Sequence, residues 1–171
     1  MNRPLHSNEF LLIKEAQAKK LRSKSKGMLS YQLLIEPDRS NLWIRITGNE
    51  GRGYFNDHPM SCQSISSLIS TQNQEKGFSA KLLNSITSGR STNNAYFLAA
   101  ILINEGVIKP DPNGGPLLFL TENVSQWLSS QLSGNGTTII LEPKVKSKAL
   151  STSKEAISKP ISHHSKRNKQ P

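Results

Sequence analysis

The segment from Gly48 to Gly53 contains three glycines directly after an apolar stretch, a pattern that can place backbone N–H groups around a phosphate. The Lys-Ser/Thr pair of a nucleotide-binding loop is missing, and Tyr54-Phe55 follows where a helix would have to begin. The glycines therefore favour a tight connection over a catalytic phosphate loop. We expect Arg52 to be exposed on this loop and able to contact a phosphate without catalysis.

Asp57 and His58 are the one acid–histidine neighbour pair of the central chain, and Cys62 follows nearby. Adjacent side chains rarely meet as a catalytic pair, so the pattern favours a helix-capping Asp57, an exposed His58 and a packed Cys62. A single cysteine excludes an internal disulfide and a cysteine zinc site. His163-His164 lacks further ligands for a metal. We therefore predict no enzyme activity, no metal and no cofactor.

The net charge of +10, with a pI near 9.9, is concentrated at the two ends of the 171-residue chain. Residues 1–29 carry +5, residues 30–142 carry −2 and residues 143–171 carry +7. Basic blocks of this kind are typical of segments that bind nucleic acid or acidic surfaces. Apolar residues make up 35% of the chain, no apolar run approaches 18 residues, and the first residues lack a signal stretch. We expect a cytoplasmic protein with no membrane segment.

The two basic ends predict different structures. Over residues 1–28, Ser7 is a plausible helix cap and Phe10, Ile13 and Leu21 follow at helical spacing, which predicts a basic amphipathic helix. This arm could pack on the core, contact phosphates or lie on a membrane surface. Residues 143–171 are rich in Ser and Lys and lack aromatic residues, which predicts a disordered basic tail.

Residues 29–142 predict a single α+β domain. Two alternating stretches joined by a turn, 29–36 and 42–47, predict a β-hairpin. A helix from about Pro59 to Thr71, a short helix capped by Ser79 and a longer helix closed by Gly106 should follow. Strands are expected at 107–109 and 117–120, then a helix containing Val124, Trp127 and Leu128, and a last strand near 137–141.

A helix from about Pro59, a short helix, a tight turn, a longer helix and a hairpin resemble the winged helix-turn-helix superfamily, and the stretch from Ser79 to Leu120 carries the resemblance. In particular, Leu102–Ile108 looks like the exit from a recognition helix into the first strand of the wing. The resemblance implies three helices plus a β-hairpin wing, preceded here by the N-terminal hairpin and flanked by basic tails. It also implies that the longer helix enters the major groove of DNA.

The candidate binding residues surround the start of this longer helix. A buried stripe of Ala95, Leu98, Ala99 and Leu102 would leave an exposed face, and the chain supplies cations before and after it. The predicted nucleic-acid-binding residues are Arg90, Asn93, Asn94, Tyr96, Lys81, Lys109 and Arg52. Asparagine can bind adenine edges, but the helix itself lacks Lys and Arg, so the basic ends would have to supply the phosphate attraction.

Two functions remain open at this stage. The first is a non-enzymatic nucleic-acid-binding protein, a regulator or accessory factor of DNA metabolism that binds duplex DNA. The alternative is a protein–protein interaction module whose winged helix docks a partner while the basic tails bind acidic surfaces. A homodimer is also left open, with the helix around Val124, Trp127 and Leu128 as the candidate interface, although ordinary core packing explains that helix as well.

Overall fold

The computed structural model describes residues 8–21, 27–51, 53–72, 75–87 and 93–142. These residues form two antiparallel sheets and four helices. The strands are β1 (Glu9–Lys19), β2 (Met28–Ile35), β3 (Leu42–Asn49), β4 (Met60–Ser61), β5 (Phe78–Ser79), β6 (Ile108–Pro110), β7 (Leu117–Leu120) and β8 (Thr137–Ile140). The helices are α1 (Cys62–Ser70), a 3₁₀ helix (Ala80–Ser85), α2 (Asn93–Asn104) and α3 (Val124–Leu132).

The larger sheet has five strands in the order β4-β3-β2-β1-β8. Its centre is the expected hairpin of β2 and β3, in which Ile35 lies opposite Leu42. Pro37, Asp38 and Arg39 make the turn between these strands, and Arg39 there has a φ of 58°. Side chains alternate between the two faces, so Leu33 and Ile44 point into the core while Arg45 lies on the opposite face.

The smaller sheet has the order β5-β7-β6, and α2 links its strands to the larger sheet. The expected helix ends are present: Ser79 Oγ accepts from Lys81 N, and Gly106 ends the α2 turn with a φ of 72°. Glycine adopts this left-handed conformation more readily than residues with a side chain, and the turn lets Val107 N donate to Leu102 O at 2.9 Å. The chain then enters β6 directly.

The main core fills the space between the larger sheet and α2 and extends into the smaller sheet. The predicted stripe of Ala95, Leu98, Ala99 and Leu102 is buried. Phe97, Ala100 and Ile101, outside this stripe, are buried as well, so burial is not confined to one face of α2. A second cluster lies on the opposite face of the larger sheet, where the rings of Phe10 and Trp43 meet edge to face at 6.4 Å.

The predicted basic helix over residues 1–28 is wrong for Glu9–Lys19, which forms strand β1. This strand pairs with β2 from Leu11 to Lys19 and with β8 from Glu9 to Leu12, so it is an inner strand of the larger sheet. Backbone pairing on two sides outweighs the helix propensity of its Ala, Glu, Gln and Lys residues. The rest of the predicted arm, residues 1–7 and 22–26, and the predicted tail, residues 143–171, lie outside the described residues.

Helix α1 begins later than predicted. Its N-cap is Ser61, whose side chain accepts from Ser64 N, and the proposed start at Pro59 precedes the short strand β4. Asp57 therefore does not cap this helix. Its carboxylate instead lies 3.7 Å from Arg45 Nη2. The predicted end at Thr71 is confirmed.

Candidate nucleic-acid interface

Helix α2 is covered on most of its surface. Eight of its twelve residues are buried, because it lies against β1 and β2 of the larger sheet on one side and against the 3₁₀ helix and β6 on others. A helix that is apolar around its circumference is a core element. The apolar run from Ala95 to Ile103 carries this signal in the sequence. The surface that α2 offers to a partner is therefore small.

The prediction that Asn94 lies on an exposed face is wrong, because Asn94 is only 2% exposed. Its Oδ1 accepts a hydrogen bond from the backbone N–H of Asn56 at 3.1 Å. This contact ties the start of α2 to the loop before β4 and satisfies a backbone donor there. Asn94 therefore has a structural role, and base contact through this side chain is excluded in this conformation.

Asn93 and Tyr96 have different surroundings. Asn93 is exposed at the first residue of α2, and its Nδ2 lies beside Gly53, where a Cβ would come within 3.5 Å. Tyr96 is half-buried and packs against the main core. The structure thus brings Asn93 next to the loop that follows β3, while Tyr96 offers only part of its ring to a partner.

The predicted cations lie on separate elements. Lys81 is exposed in the first turn of the 3₁₀ helix, and Lys109 is exposed on β6. Lys109 lines an open groove of about 610 Å³ with residues of α1, β7, the start of α3 and the connection before α3, among them Ser66 of α1 and Glu122 of the connection. Arg52 and Arg90 lie outside the described residues. The described part of the chain therefore places Lys81 and Lys109 on different elements from Asn93.

A buried carboxylate follows α2 and joins four elements. The Glu105 side chain is 2% exposed, and its Oε1 lies 2.7 Å from Lys14 Nζ on β1. Tyr31 OH on β2 also donates to Oε1, and Trp127 Nε1 on α3 donates to Oε2 at 3.1 Å. Asn104 Nδ2 completes the network by donating to Tyr31 OH at 2.9 Å. Burial, together with the hydrogen bond to Glu105, raises the pKa of the Tyr31 hydroxyl.

Cys62 lies near this network and is a packed core residue. Cys62 is 2% exposed, and burial followed by the negative charge of Glu105 raises the pKa of its thiol. His58 is exposed and lies in the loop before β4. Within the described ranges, no group of three or more His, Cys, Asp or Glu side chains could hold a metal ion. Asp57, His58 and Cys62 therefore form no assembled nucleophile and base.

The sequence interpretation missed one exposed feature, the loop Gly53–Asp57. The Tyr54 side chain is 90% exposed, and a groove of about 380 Å³ lies between it and Arg45. The available signal was the placement of an aromatic pair directly after a glycine-rich connection, together with the alternation that puts Arg45 and Thr47 on one face of β3. Together these residues form a groove of mixed polar and apolar lining, with the Arg45 guanidinium and the Tyr54 ring among its walls.

Helix α2 is the longest helix in the described part, and no helix there has the length and apolar character needed to cross a bilayer. Comparison with protein-family models, curated proteins and solved structures finds no match to this chain. Charge and geometry are therefore the features of the chain that bear on its function.

Proposed function

We propose that the chain is a non-enzymatic, cytoplasmic nucleic-acid-binding protein, a regulator or accessory factor of DNA metabolism, in which a winged-helix-like domain carries basic segments that attract phosphates. The observation that supports this proposal most strongly is the distribution of charge along the chain. The described residues hold eight Lys/Arg and eleven Asp/Glu, a net charge of −3. The other residues hold fourteen Lys/Arg and one Glu, a net charge of +13. Such a concentration of cations favours binding to a polyanion.

The order of elements supports the winged-helix part of the proposal. Helix α1, the 3₁₀ helix and α2 follow one another and lead through Gly106 into the hairpin of β6 and β7. This is the succession on which the resemblance depends. Fold resemblance alone does not establish a function, because one fold serves many functions. The charge distribution therefore remains the stronger support for nucleic acid as the partner.

The burial of α2 changes the binding role that we propose for it. Arg90, which precedes α2 in the sequence, and Asn93, the first residue of α2, remain candidates. Asn94 is withdrawn because its side chain is buried. Arg90→Ala should weaken binding to all duplexes alike and lower the salt slope by about one. Asn93→Ala should instead weaken preferred sequences by about 1–3 kcal/mol, because it would remove a base contact.

The direct test is fluorescence-anisotropy titration of a labelled duplex with the full chain. The comparison variant replaces the eight Lys and Arg residues between 144 and 169 by Gln, and its matched control keeps these residues in shuffled order. We expect the Gln variant to bind at least about tenfold more weakly at 50–200 mM salt, because phosphate contacts are lost. We expect the shuffled control to bind like the parent. A full chain that binds neither the duplex nor its separated single strands at low salt would refute the proposal.

A protein–protein interaction module is the second candidate, and one observation favours it. The helix that the resemblance assigns to the major groove is mostly buried, and the described domain has a net negative charge. The surface of the domain is therefore better suited to a protein than to a phosphate backbone. In this alternative, duplex binding would depend on the tail alone and would be insensitive to both Arg90→Ala and Asn93→Ala. A homodimer is a further proposal, but Trp127 and Leu128 of its candidate interface pack on the main core.

A further inference from the structure

Tyr54 is far more exposed to solvent than aromatic side chains in folded domains usually are. It is 90% exposed, although an aromatic ring normally buries much of its area in a folded domain. The loop that carries it leaves β3 at Asn49, whose Nδ2 donates to Gly53 O at 3.1 Å. Gly53 has a φ of 138°, which an L-residue rarely adopts, so the direction of the chain at Tyr54 depends on this glycine. The ring is thereby presented at the margin of the larger sheet.

The groove beside Tyr54 contains a fixed cation. Arg45 lies on β3 with a side chain that is 26% exposed. Its Nη1 donates to Gln32 Oε1 at 3.3 Å, and its Nε donates to Asp57 O at 3.3 Å. The Asp57 carboxylate, which also lines the groove, lies 3.7 Å from Nη2, within ion-pair distance although longer than an ordinary hydrogen bond. Arg45 is thus held in one orientation while its guanidinium remains at the groove.

The face of the sheet next to this groove is polar. Gln32 Nε2 donates to Glu15 Oε1 at 2.6 Å, so hydrogen bonds connect β1, β2 and β3 through Glu15, Gln32 and Arg45. Thr47 lines the groove on the same face as Arg45. An aromatic ring, a guanidinium and a hydroxyl at one groove match the chemistry by which unpaired bases are stacked and hydrogen-bonded.

From this arrangement we infer that the groove between Tyr54 and Arg45 binds single-stranded nucleic acid, with a base stacked on the Tyr54 ring and Arg45 donating to a base edge or phosphate. The inference rests on the proposed function and narrows it. We infer a single-stranded ligand because the bases of a duplex are stacked on one another, so their faces are not accessible to the Tyr54 ring. DNA and RNA share this chemistry.

The test uses the full chain and a labelled 15-nucleotide strand, as DNA and as RNA, with the DNA duplex in parallel. Stacking of one base contributes about 1–3 kcal/mol, so Tyr54→Ala should weaken binding to the preferred strand about 5- to 150-fold. Tyr54→Phe keeps the ring and should restore most of the affinity. Ile140→Ala is the matched control, because Ile140 is also a large exposed side chain, at 69%. This control should bind like the parent.

The outcomes separate the inference from the proposed function. If the full chain binds single strands and Tyr54→Ala binds them equally well, the inference is wrong and the proposed function stands. If Tyr54→Ala weakens duplex and single strand by the same factor, the assignment to unpaired bases is wrong. If the full chain binds neither duplex nor single strand, the proposed function fails and the inference fails with it. Circular dichroism of each variant verifies that the exposed substitution leaves the fold intact.

Discussion

Removal of the Glu105 carboxylate should be among the most destabilising single changes in the domain. Glu105 accepts hydrogen bonds from Lys14, Tyr31 and Trp127, and these residues lie on β1, β2 and α3. The carboxylate also follows the C-terminal end of α2, where the helix dipole disfavours negative charge. The three donors offset both this effect and the loss of water around a side chain that is 2% exposed.

The expected loss of unfolding free energy follows from the donors that Glu105→Ala leaves without an acceptor. The Lys14 side chain is 40% exposed, so its ammonium group can return to water at little cost. Tyr31 and Trp127 each lose an acceptor, and an unsatisfied buried donor costs about 1–3 kcal/mol. Because Trp127 is only half-buried, we expect a total loss of about 3 kcal/mol from these two donors.

Urea unfolding monitored by fluorescence of Trp43 and Trp127 provides the assay. Glu105→Gln keeps one acceptor oxygen and should lose about half as much as the alanine variant, because hydrogen bonds to neutral acceptors are weaker. Glu122→Ala, an exposed carboxylate before α3, is the control and should change stability by less than about 0.5 kcal/mol. If Glu105→Ala unfolds within about 1 kcal/mol of the parent, the network does not hold the sheet and helices together.

Two further substitutions and one labelling experiment test the packing. Leu98→Ala should destabilise by about 2–5 kcal/mol in the same assay, since Leu98 is fully buried; a cost under 1 kcal/mol would contradict its core position. Asn94→Ala should cost about 1–3 kcal/mol, because Asn56 N–H loses its acceptor; an unchanged urea midpoint would contradict the structural role of Asn94. Cys62 should react with iodoacetamide only after denaturation, because burial and Glu105 raise the pKa of its thiol; rapid labelling of the native protein would contradict this.

The error at β1 has an identifiable physical cause. Leu12 lies opposite Leu34 and Lys14 lies opposite Leu33, so the pairing register shifts across Ile13. This irregularity changes the phase of alternation within the strand, because an extra residue reverses which face the following side chains occupy. Apolar residues on either side of such a shift no longer repeat every two positions. Their spacing therefore imitated a helix, and pairing with β2 and β8 could not be deduced from local sequence.

Elements with strong end signals were predicted more closely. Ser79 as a cap, Gly106 as a helix end and the strand Leu117–Leu120 are all confirmed, because each depends on local backbone chemistry. The candidate site was harder to predict. Asn94 was assigned to a surface from its phase relative to one apolar stripe, but the larger sheet and the 3₁₀ helix cover α2 on several sides. Burial of that kind depends on contacts between residues far apart in the sequence.

The most direct test of the proposed function is the salt dependence of duplex binding by the full chain. The logarithm of the association constant falls with the logarithm of salt concentration by about 0.9 for each phosphate contact. With a net charge of +13 outside the described residues, we expect a slope of about −5 or steeper, equivalent to roughly six contacts. The variant with Gln at the eight basic positions between 144 and 169 should show a slope at most half as steep. A full-chain slope flatter than about −1 would contradict phosphate attraction by the basic segments.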